Sequence, residues 1–184
     1  MITFVTSNEG KFMEISHEMR QHGIEIRWEK VEYDEIQGND THEISLRSCN
    51  DIIGKVTGDF FLEDTGLYCT ALNGFPGPYA KYAQHTIGNR GLIRLLGGSE
   101  RSAYFLTVIS LRHGNRVIQF DGKVNGTISE NEKGSNGFGF DPVFIPEGQN
   151  RTLAEMNLQE KNAFSHRGIA VRKLIRYLQE SNLK

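Results

Sequence analysis

Short apolar stretches and amphipathic stretches alternate along the chain. Runs of β-branched and aromatic residues predict strands, which fall at residues 2–6, 24–31, 60–64, 102–114 and 115–129. Apolar residues three and four positions apart predict helices, which fall at residues 11–22, 41–56, 86–96 and 165–179. Because strand–helix units precede a long antiparallel pair, we expect an α/β fold with a mixed sheet and helices packed on it.

Glycine and proline mark the breaks in this pattern. The glycine-rich stretches NGFPGPYAKY (73–82) and GSNGFGFDPVF (134–144) fall between predicted elements. LYCTAL at 67–72 is predicted to continue the strand at 60–64 as a hairpin. No linker, repeat or low-complexity stretch is present, so we expect a single domain over residues 1–184.

The amino-acid composition argues against some classes of function. The 184 residues are 38% hydrophobic and 24% charged, with a formal net charge of −2, so neither a general nucleic-acid binder nor a membrane-surface protein is indicated. No apolar run approaches the roughly 20 residues that span a bilayer, and the N-terminus does not resemble a signal peptide. Cys49 and Cys69 stand apart from each other, which favours two reduced thiols in a cytoplasmic protein.

Two predicted strand ends carry groups that suit a polyphosphate and a metal ion. TSNEGK (6–11) lies between a strand and a helix, where backbone N–H groups and Lys11 suit an anion, although the same residues also suit a capped surface turn. Glu63 and Asp64 end a buried strand, and carboxylates suit Mg²⁺. Alternation sends them to opposite faces, so we expect only one to reach the ion. The acidic stretch 32–40 is either a second ligand source or a solvated loop.

Two further features suit a flat, polar ligand. Glycines in both glycine-rich stretches let the backbone approach a ligand, and their aromatic rings either stack on a nucleobase or fill the core. In EKNAFSHRG (160–168), Ser165 is a good N-cap, which places His166 and Arg167 in the first helical turn. Cations there oppose the helix dipole, which indicates either an anionic or carbonyl-bearing ligand or a surface helix with unfavourable charges.

Together these motifs resemble the inosine triphosphate pyrophosphatase family, from residue 2 to about residue 178. They occur in one order: TSNEGK (6–11), EDTGL (63–67), GFPGPYAKY (74–82), GFGFDPVF (137–144) and EKNAFSHR (160–167). The resemblance implies Mg²⁺-dependent hydrolysis of inosine and xanthosine triphosphates, ribo or deoxy, to the monophosphate and pyrophosphate. It also implies a long curved mixed sheet flanked by helices, two lobes with a central cleft, and a homodimer.

The resemblance assigns the phosphate and metal side of the site. The implied triphosphate ligands are Thr6, Ser7, Asn8, Glu9, Gly10 and Lys11. Asp64 is the implied metal ligand and general base, Glu35 the second metal ligand, and Thr65 a substrate contact, while Lys81 reaches the ligand from across the cleft.

The resemblance also assigns the base side. The residues implied to enclose or read the base are Phe138, Gly139, Phe140, Asp141, Lys161, His166 and Arg167, with Phe138 stacking on the ring. A pocket lined by donors such as Arg167 and a protonated His166 accepts the 6-oxo group of hypoxanthine or xanthine and opposes the 6-amino group of adenine.

Three positions depart from the family pattern. Ser7 stands where many relatives have glycine, and Phe140 where tyrosine or tryptophan is common. Ser48, beside Arg47, stands where some relatives carry a lysine, which leaves one phosphate contact open. Two alternatives remain: a nucleotide- or RNA-binding module without hydrolysis, and a pyrophosphatase acting on modified or pyrimidine nucleotides.

Overall fold

The computed structural model describes residues 1–33 and 37–181, and within them a seven-stranded sheet is flanked by helices. The strands are β1 (Ile2–Val5), β2 (Ile26–Glu29), β3 (Phe60–Cys69), β4 (Pro76–Gly77), β5 (Ser102–His113), β6 (Arg116–Ile128) and β7 (Phe144–Pro146). The helices are α1 (Glu9–Gln21), α2 (Thr41–Asp51), α3 (Ala80–Thr86), α4 (Gly88–Leu96), α5 (Leu158–Phe164) and α6 (His166–Ser181), with 3₁₀ turns at Thr70–Leu72 and Leu153–Glu155. The predicted mixed α/β fold is confirmed.

The sheet changes from parallel to antiparallel pairing across its width. Its strand order is β2–β1–β3–β5–β6–β7, and β4 pairs with the far end of β3. The β2–β1–β3 part is parallel and the remaining pairs are antiparallel. β1 pairs with β3 only at Phe60 and Phe61, whereas β3 pairs with β5 along its full length. Glu63 and Asp64 therefore lie just beyond the end of β1, inside a continuous strand, so the predicted strand end at residue 64 is wrong. The predicted continuation into a hairpin is confirmed at Leu67 and Tyr68, which pair antiparallel with β4.

The apolar core is divided along β3. Phe61 packs in a cluster with residues of α1 and α6, and Leu62 packs in a cluster with residues of α2 on the other face. Leu67 and Cys69 belong to a third cluster, with residues of α3, α4 and β7. The polar residues 63–65 fall between these clusters, so the sheet continues through a gap in the core. This gap separates two lobes that share the long strands.

Side-chain hydrogen bonds mark the starts of three helices: α2 and α6 begin where the sequence indicated, and α1 begins two residues before the predicted Lys11. Asn8 caps α1 by accepting from the backbone N–H of Lys11, and Asp40 caps α2 by accepting from that of His42. Ser165 Oγ accepts from the backbone N–H of Gly168 at 3.0 Å, which confirms it as the start of α6.

Two short helices were not predicted from the sequence. α3 begins directly after the prolines of the stretch 73–82, and α5 has only seven residues, held by a capping box between Asn157 and Glu160. Both are too short for apolar periodicity to show. Among residues 1–33 and 37–181, no helix combines the length and apolarity needed to cross a membrane.

Candidate active site

The end of β1 and the first turn of α1 form one wall of the cleft between the lobes. Thr6 is buried and its hydroxyl accepts from the N–H of Asn8 at 3.1 Å, while Ser7, Asn8 and Glu9 are exposed. The helix N-terminus is therefore open to solvent, where its dipole favours anions. Lys11 Nζ lies 2.8 Å from Glu63 Oε1, so the predicted phosphate lysine is paired with a carboxylate of β3.

Gly10 brings this wall into contact with the glycine-rich stretch 134–144. A Cβ atom at Gly10 would lie 2.5 Å from Cδ1 of Phe138, so only glycine allows the ring to rest on the first turn of α1. Phe138 is half-buried, and its ring centroid lies 4.8 Å from Lys161 Nζ and 5.3 Å from the guanidinium carbon of Arg167. Two sequence motifs, which meet through Gly10 and Phe138, therefore lie 128 positions apart in the chain and share one aromatic ring.

Glu63 and Asp64 project to opposite faces of β3, as the alternation predicted. Glu63 lies on the face toward α6 with Thr65, whose hydroxyl donates to Glu63 Oε2 at 2.7 Å. Asp64 is half-buried and lies on the side of Tyr68. The pKa of Tyr68 is raised, chiefly by burial, with a contribution from the negative charge of Asp64. The two neighbouring carboxylates therefore lie in different environments.

The predicted metal ligands are Asp64 and Glu35, and Glu35 lies outside the described residues. Within residues 1–33 and 37–181, no group of three or more His, Cys, Asp or Glu side chains is arranged to hold a metal ion. Asp64 fits a different kind of site, because Mg²⁺ commonly takes one or two carboxylates and completes its shell with water and substrate phosphates.

Six charged side chains from α1, β3, the stretch 134–144, α5 and α6 form one ion network. They are the acids Glu14, Glu63 and Asp141 and the bases Lys11, Lys161 and Arg167. Lys161 Nζ lies 2.5 Å from both Glu14 Oε1 and Asp141 Oδ2. Arg167 binds Glu14 Oε2 at 2.7 Å and Glu63 Oε1 at 3.4 Å. The network thus contains three acidic and three basic side chains.

Burial and pairing compete in this network. Burial alone would raise the pKa of Glu63, but the charges of Arg167 and Lys11 and the hydrogen bonds from Lys11 and Thr65 hold it at about 2. Burial lowers the pKa of Arg167, and Glu63 and Glu14 more than offset that effect, so the pKa is raised and the guanidinium stays charged. Breaking such a buried pair from one side costs several kcal/mol, typically about 3–5.

Glu14 is a site residue that the sequence analysis missed. It is 3% exposed and bridges Lys161 and Arg167 from the side of α1. Its sequence signal is a stripe of charged residues at helical spacing, Lys11, Glu14 and Glu18, which flanks the apolar position Ile15. A surface stripe looks identical in sequence, so the burial of Glu14 emerges only when α6 packs on α1.

His166 is neutral rather than protonated, which corrects the expectation from the sequence. Its ring is 2% exposed and stacks on Phe105 with centroids 4.4 Å apart. Burial, followed by the nearby charges of Arg167, Lys161 and Lys11, holds its pKa well below the usual value. At neutral pH the ring therefore presents one donor and one acceptor.

The remaining predicted residues differ in burial and in the contacts they make. Asp141 Oδ2 accepts from the N–H of Phe138 at 2.7 Å and so fixes the turn that carries the ring, in which Gly139 has a φ of +63°. Phe140 is 3% exposed and packs in the apolar core. Lys81 is exposed on α3, and Thr65 lies in the network beside Glu63.

The two candidates for the open phosphate contact differ in exposure. Arg47 pairs with Glu43 at 2.6 Å in an exposed ion pair on α2. Ser48 is 4% exposed and lies on the buried side of the same helix. Arg47 is thus engaged at the surface of α2, and Ser48 has no access to solvent.

A helix N-terminus and an aromatic ring beside cations meet at Gly10, and Asp64 follows the end of the parallel strands on the other face of β3. This combination defines a binding site for a small anionic molecule with a flat ring, the kind of site found in nucleotide-binding α/β proteins. The model of the Ham1 family matches residues 2–177, and the chain belongs to that family, which confirms the resemblance seen in the motifs.

Two relatives illustrate the similarity along the whole chain. The dITP/XTP pyrophosphatase of Thermococcus kodakarensis is 46% identical over 184 residues, covering 100% of this chain and 99% of that protein. The dITP/XTP pyrophosphatase of Saccharolobus solfataricus is 42% identical, with 97% and 93% covered.

Solved structures show the same fold. A HAM1 protein from Coxiella burnetii superposes with a TM-score of 0.83 at 28% identity, covering 97% of this chain and 98% of its own. The Ham1 protein of Staphylococcus aureus superposes with a TM-score of 0.80 at 25% identity, covering 98% and 100%.

Proposed function

We propose that this protein hydrolyses non-standard purine nucleoside triphosphates, namely ITP, dITP, XTP and dXTP, to the monophosphate and pyrophosphate. The observation that carries the proposal is the contact between Phe138 and Gly10, because it joins a place for a flat base to a helix N-terminus suited to phosphates. Family membership and the relatives named dITP/XTP pyrophosphatase support the same reaction.

The phosphate side needs positive charge from outside the chain. Lys11 is already paired with Glu63 at 2.8 Å, so it only partly offsets a highly anionic triphosphate. Asp64 is the proposed Mg²⁺ ligand, with Glu35 as the proposed second ligand. When bound, Mg²⁺ neutralises phosphate charge and lowers the pKa of a coordinated water. The exposed first turn of α1 positions the phosphates, and Asp64 orients the attacking water and accepts its proton.

The base side supplies stacking and polar contacts. Phe138 offers a half-buried ring whose position is fixed by Asp141 and Gly10. Lys161 and Arg167 stand within 5.3 Å of that ring as donors toward a 6-oxo group. Because both cations are held by buried carboxylates, they keep their direction when the base enters, which favours recognition over non-specific attraction.

A homodimer and a cytoplasmic location complete the proposal, and both rest on the family resemblance and on the pair of separate thiols. Light scattering after size-exclusion chromatography tests the first: a mass near 42 kDa supports a dimer of the 20.8 kDa chain, and a mass of 20.8 kDa contradicts it.

The test is pyrophosphate release from ITP, XTP, GTP, ATP and dTTP, with and without Mg²⁺. We expect rapid, Mg²⁺-dependent release from ITP and XTP. Asp64→Asn should remove nearly all turnover, whereas the matched control Asp59→Asn, a carboxylate paired with His113 at the start of β3, should retain it. Absence of metal-dependent release from all five nucleotides refutes the hydrolysis, and equal rates on all five refute the substrate preference.

A further inference from the structure

A chain of hydrogen bonds crosses the strands beneath α6 and ends at His166. Thr65 Oγ1 donates to Glu63 Oε2 at 2.7 Å and lies 2.5 Å from Thr107 Oγ1. Thr107 Oγ1 in turn lies 2.6 Å from Nδ1 of His166. Thr107 is fully buried opposite Thr65 in the β3–β5 pair, and no sequence motif pointed to it.

The proton positions along this chain follow from counting donors. Glu63 accepts from Lys11 as well as from Thr65, so it is the acceptor end. The single hydroxyl hydrogen of Thr65 is therefore used toward Glu63. Two oxygens 2.5 Å apart need a hydrogen between them, and only Thr107 can supply it. Having donated its hydrogen, Thr107 can only accept from His166, so Nδ1 carries a hydrogen.

The other ring nitrogen is then left as an acceptor. The hydrogen bond from the His166 ring to Thr107 uses Nδ1, which leaves the lone pair of the ring on Nε2. The ring is held by stacking on Phe105, and the backbone of His166 packs so closely on Gly122 that a Cβ atom there would collide with its carbonyl oxygen. The neighbouring cations Arg167 and Lys161 oppose a second proton on the ring.

We propose that Thr107 is a positioning residue that fixes His166 as the Nδ1–H tautomer, so that Nε2 accepts a hydrogen bond from purines that carry a hydrogen on N1. The inference rests on the proposed function and deepens it by adding a second point of base selection. Hypoxanthine and xanthine carry N1–H, which matches an acceptor, whereas adenine presents an N1 lone pair that would face the Nε2 lone pair. Guanine also carries N1–H, so this contact selects against adenine alone.

The test combines the NMR shifts of the His166 imidazole ring with measurements of nucleotide affinity. Thr107→Val removes the hydroxyl at nearly constant shape, and Thr107→Ser keeps the hydroxyl. Ser110→Ala is the matched control, because it removes a buried hydroxyl from the other face of β5, where Ser110 bonds to Ser45 at 2.7 Å. The readouts are the imidazole ¹³C and ¹⁵N shifts, assigned by the loss of signal in His166→Asn, and the ratio of affinities for IMP and AMP.

We expect the wild type, Thr107→Ser and Ser110→Ala to show the Nδ1–H signature and to prefer IMP. Thr107→Val should shift the ring toward the Nε2–H tautomer and lower the IMP-to-AMP ratio about tenfold, the effect of one mismatched buried hydrogen bond. An Nε2–H or doubly protonated His166 in the wild type, or an unchanged ratio in Thr107→Val, overturns the proposal. Since neither readout requires triphosphate hydrolysis, a protein that fails to hydrolyse triphosphates would still test it.

Discussion

Replacing Glu63 with glutamine should reveal how much the buried ion network contributes to stability. Glu63→Gln keeps the shape of the side chain and removes its charge. Lys11 and Arg167, which lie 2.8 and 3.4 Å from Glu63 Oε1, would then face a neutral amide. Arg167 keeps its contact with Glu14, so the network is weakened at one point and not dismantled.

The magnitude follows from the pKa of Glu63, which lies at about 2 in the folded protein against an ordinary value of 4.5. At about 1.4 kcal/mol per pH unit, this gap corresponds to about 3 kcal/mol of folding free energy. Because the folded-state pKa is the lower one, the contribution is fully present above about pH 5 and is lost as the pH falls toward 2. The figure matches the cost of breaking a buried ion pair from one side.

The assay is urea unfolding of the wild type and Glu63→Gln between pH 7 and pH 2.5. We expect the variant to be less stable by about 3 kcal/mol at pH 7 and the difference to shrink steadily below pH 5. The matched control is Glu43→Gln, which breaks an exposed pair with Arg47 and should cost at most about 1 kcal/mol. A difference that stays constant down to pH 2.5 would show that the charge of Glu63 is not what stabilises the fold.

Further substitutions and probes test the rest of the site. Phe138→Ala should raise KM for ITP more than it lowers kcat, because stacking contributes mostly uniform binding; a large fall in kcat at unchanged KM contradicts the stacking role. Gly10→Ala should displace the Phe138 ring, since the new Cβ lies 2.5 Å from it, and raise KM for ITP about tenfold; an unchanged KM contradicts the contact. Burial raises the pKa of Cys49 and of Cys69 to about 11, so both thiols should resist alkylation at pH 8 until the protein unfolds, as mass spectrometry would show.

The parts of the fold that the sequence predicted are those determined locally. The starts of α2 after Asp40 and of α6 at Ser165 depend on side chains within three residues of the cap, so their signals survive without tertiary information. The long antiparallel pair β5–β6 consists of two long runs rich in β-branched and aromatic residues, joined by a tight His-Gly-Asn turn. The continuity of β3 was missed because its polar centre, residues 63–65, resembles a strand end.

The residues that sequence reasoning missed act through distant contacts. Glu14 touches Lys161 and Arg167, which lie about 150 positions further along the chain. Thr107 meets Thr65 through strand register and His166 through the packing of α6. The error about the charge of His166 has the same origin, because its surrounding cations and its burial appear only in the folded protein.

Successive side chains of β3 point to opposite faces of the sheet, which explains why two neighbouring carboxylates have different proposed roles. Glu63 faces α6, where Arg167, Lys11 and Thr65 saturate it, so it is a poor ligand for an incoming metal ion and a good anchor for the residues that hold the base. Asp64, one residue later, faces the other side of the sheet, away from that network. A register shift of one residue in β3 would exchange the two roles, and the pairing of all ten residues of β3 with β5 prevents it. The continuous β3 therefore keeps the proposed base side and the proposed metal side of the site on different faces of the sheet.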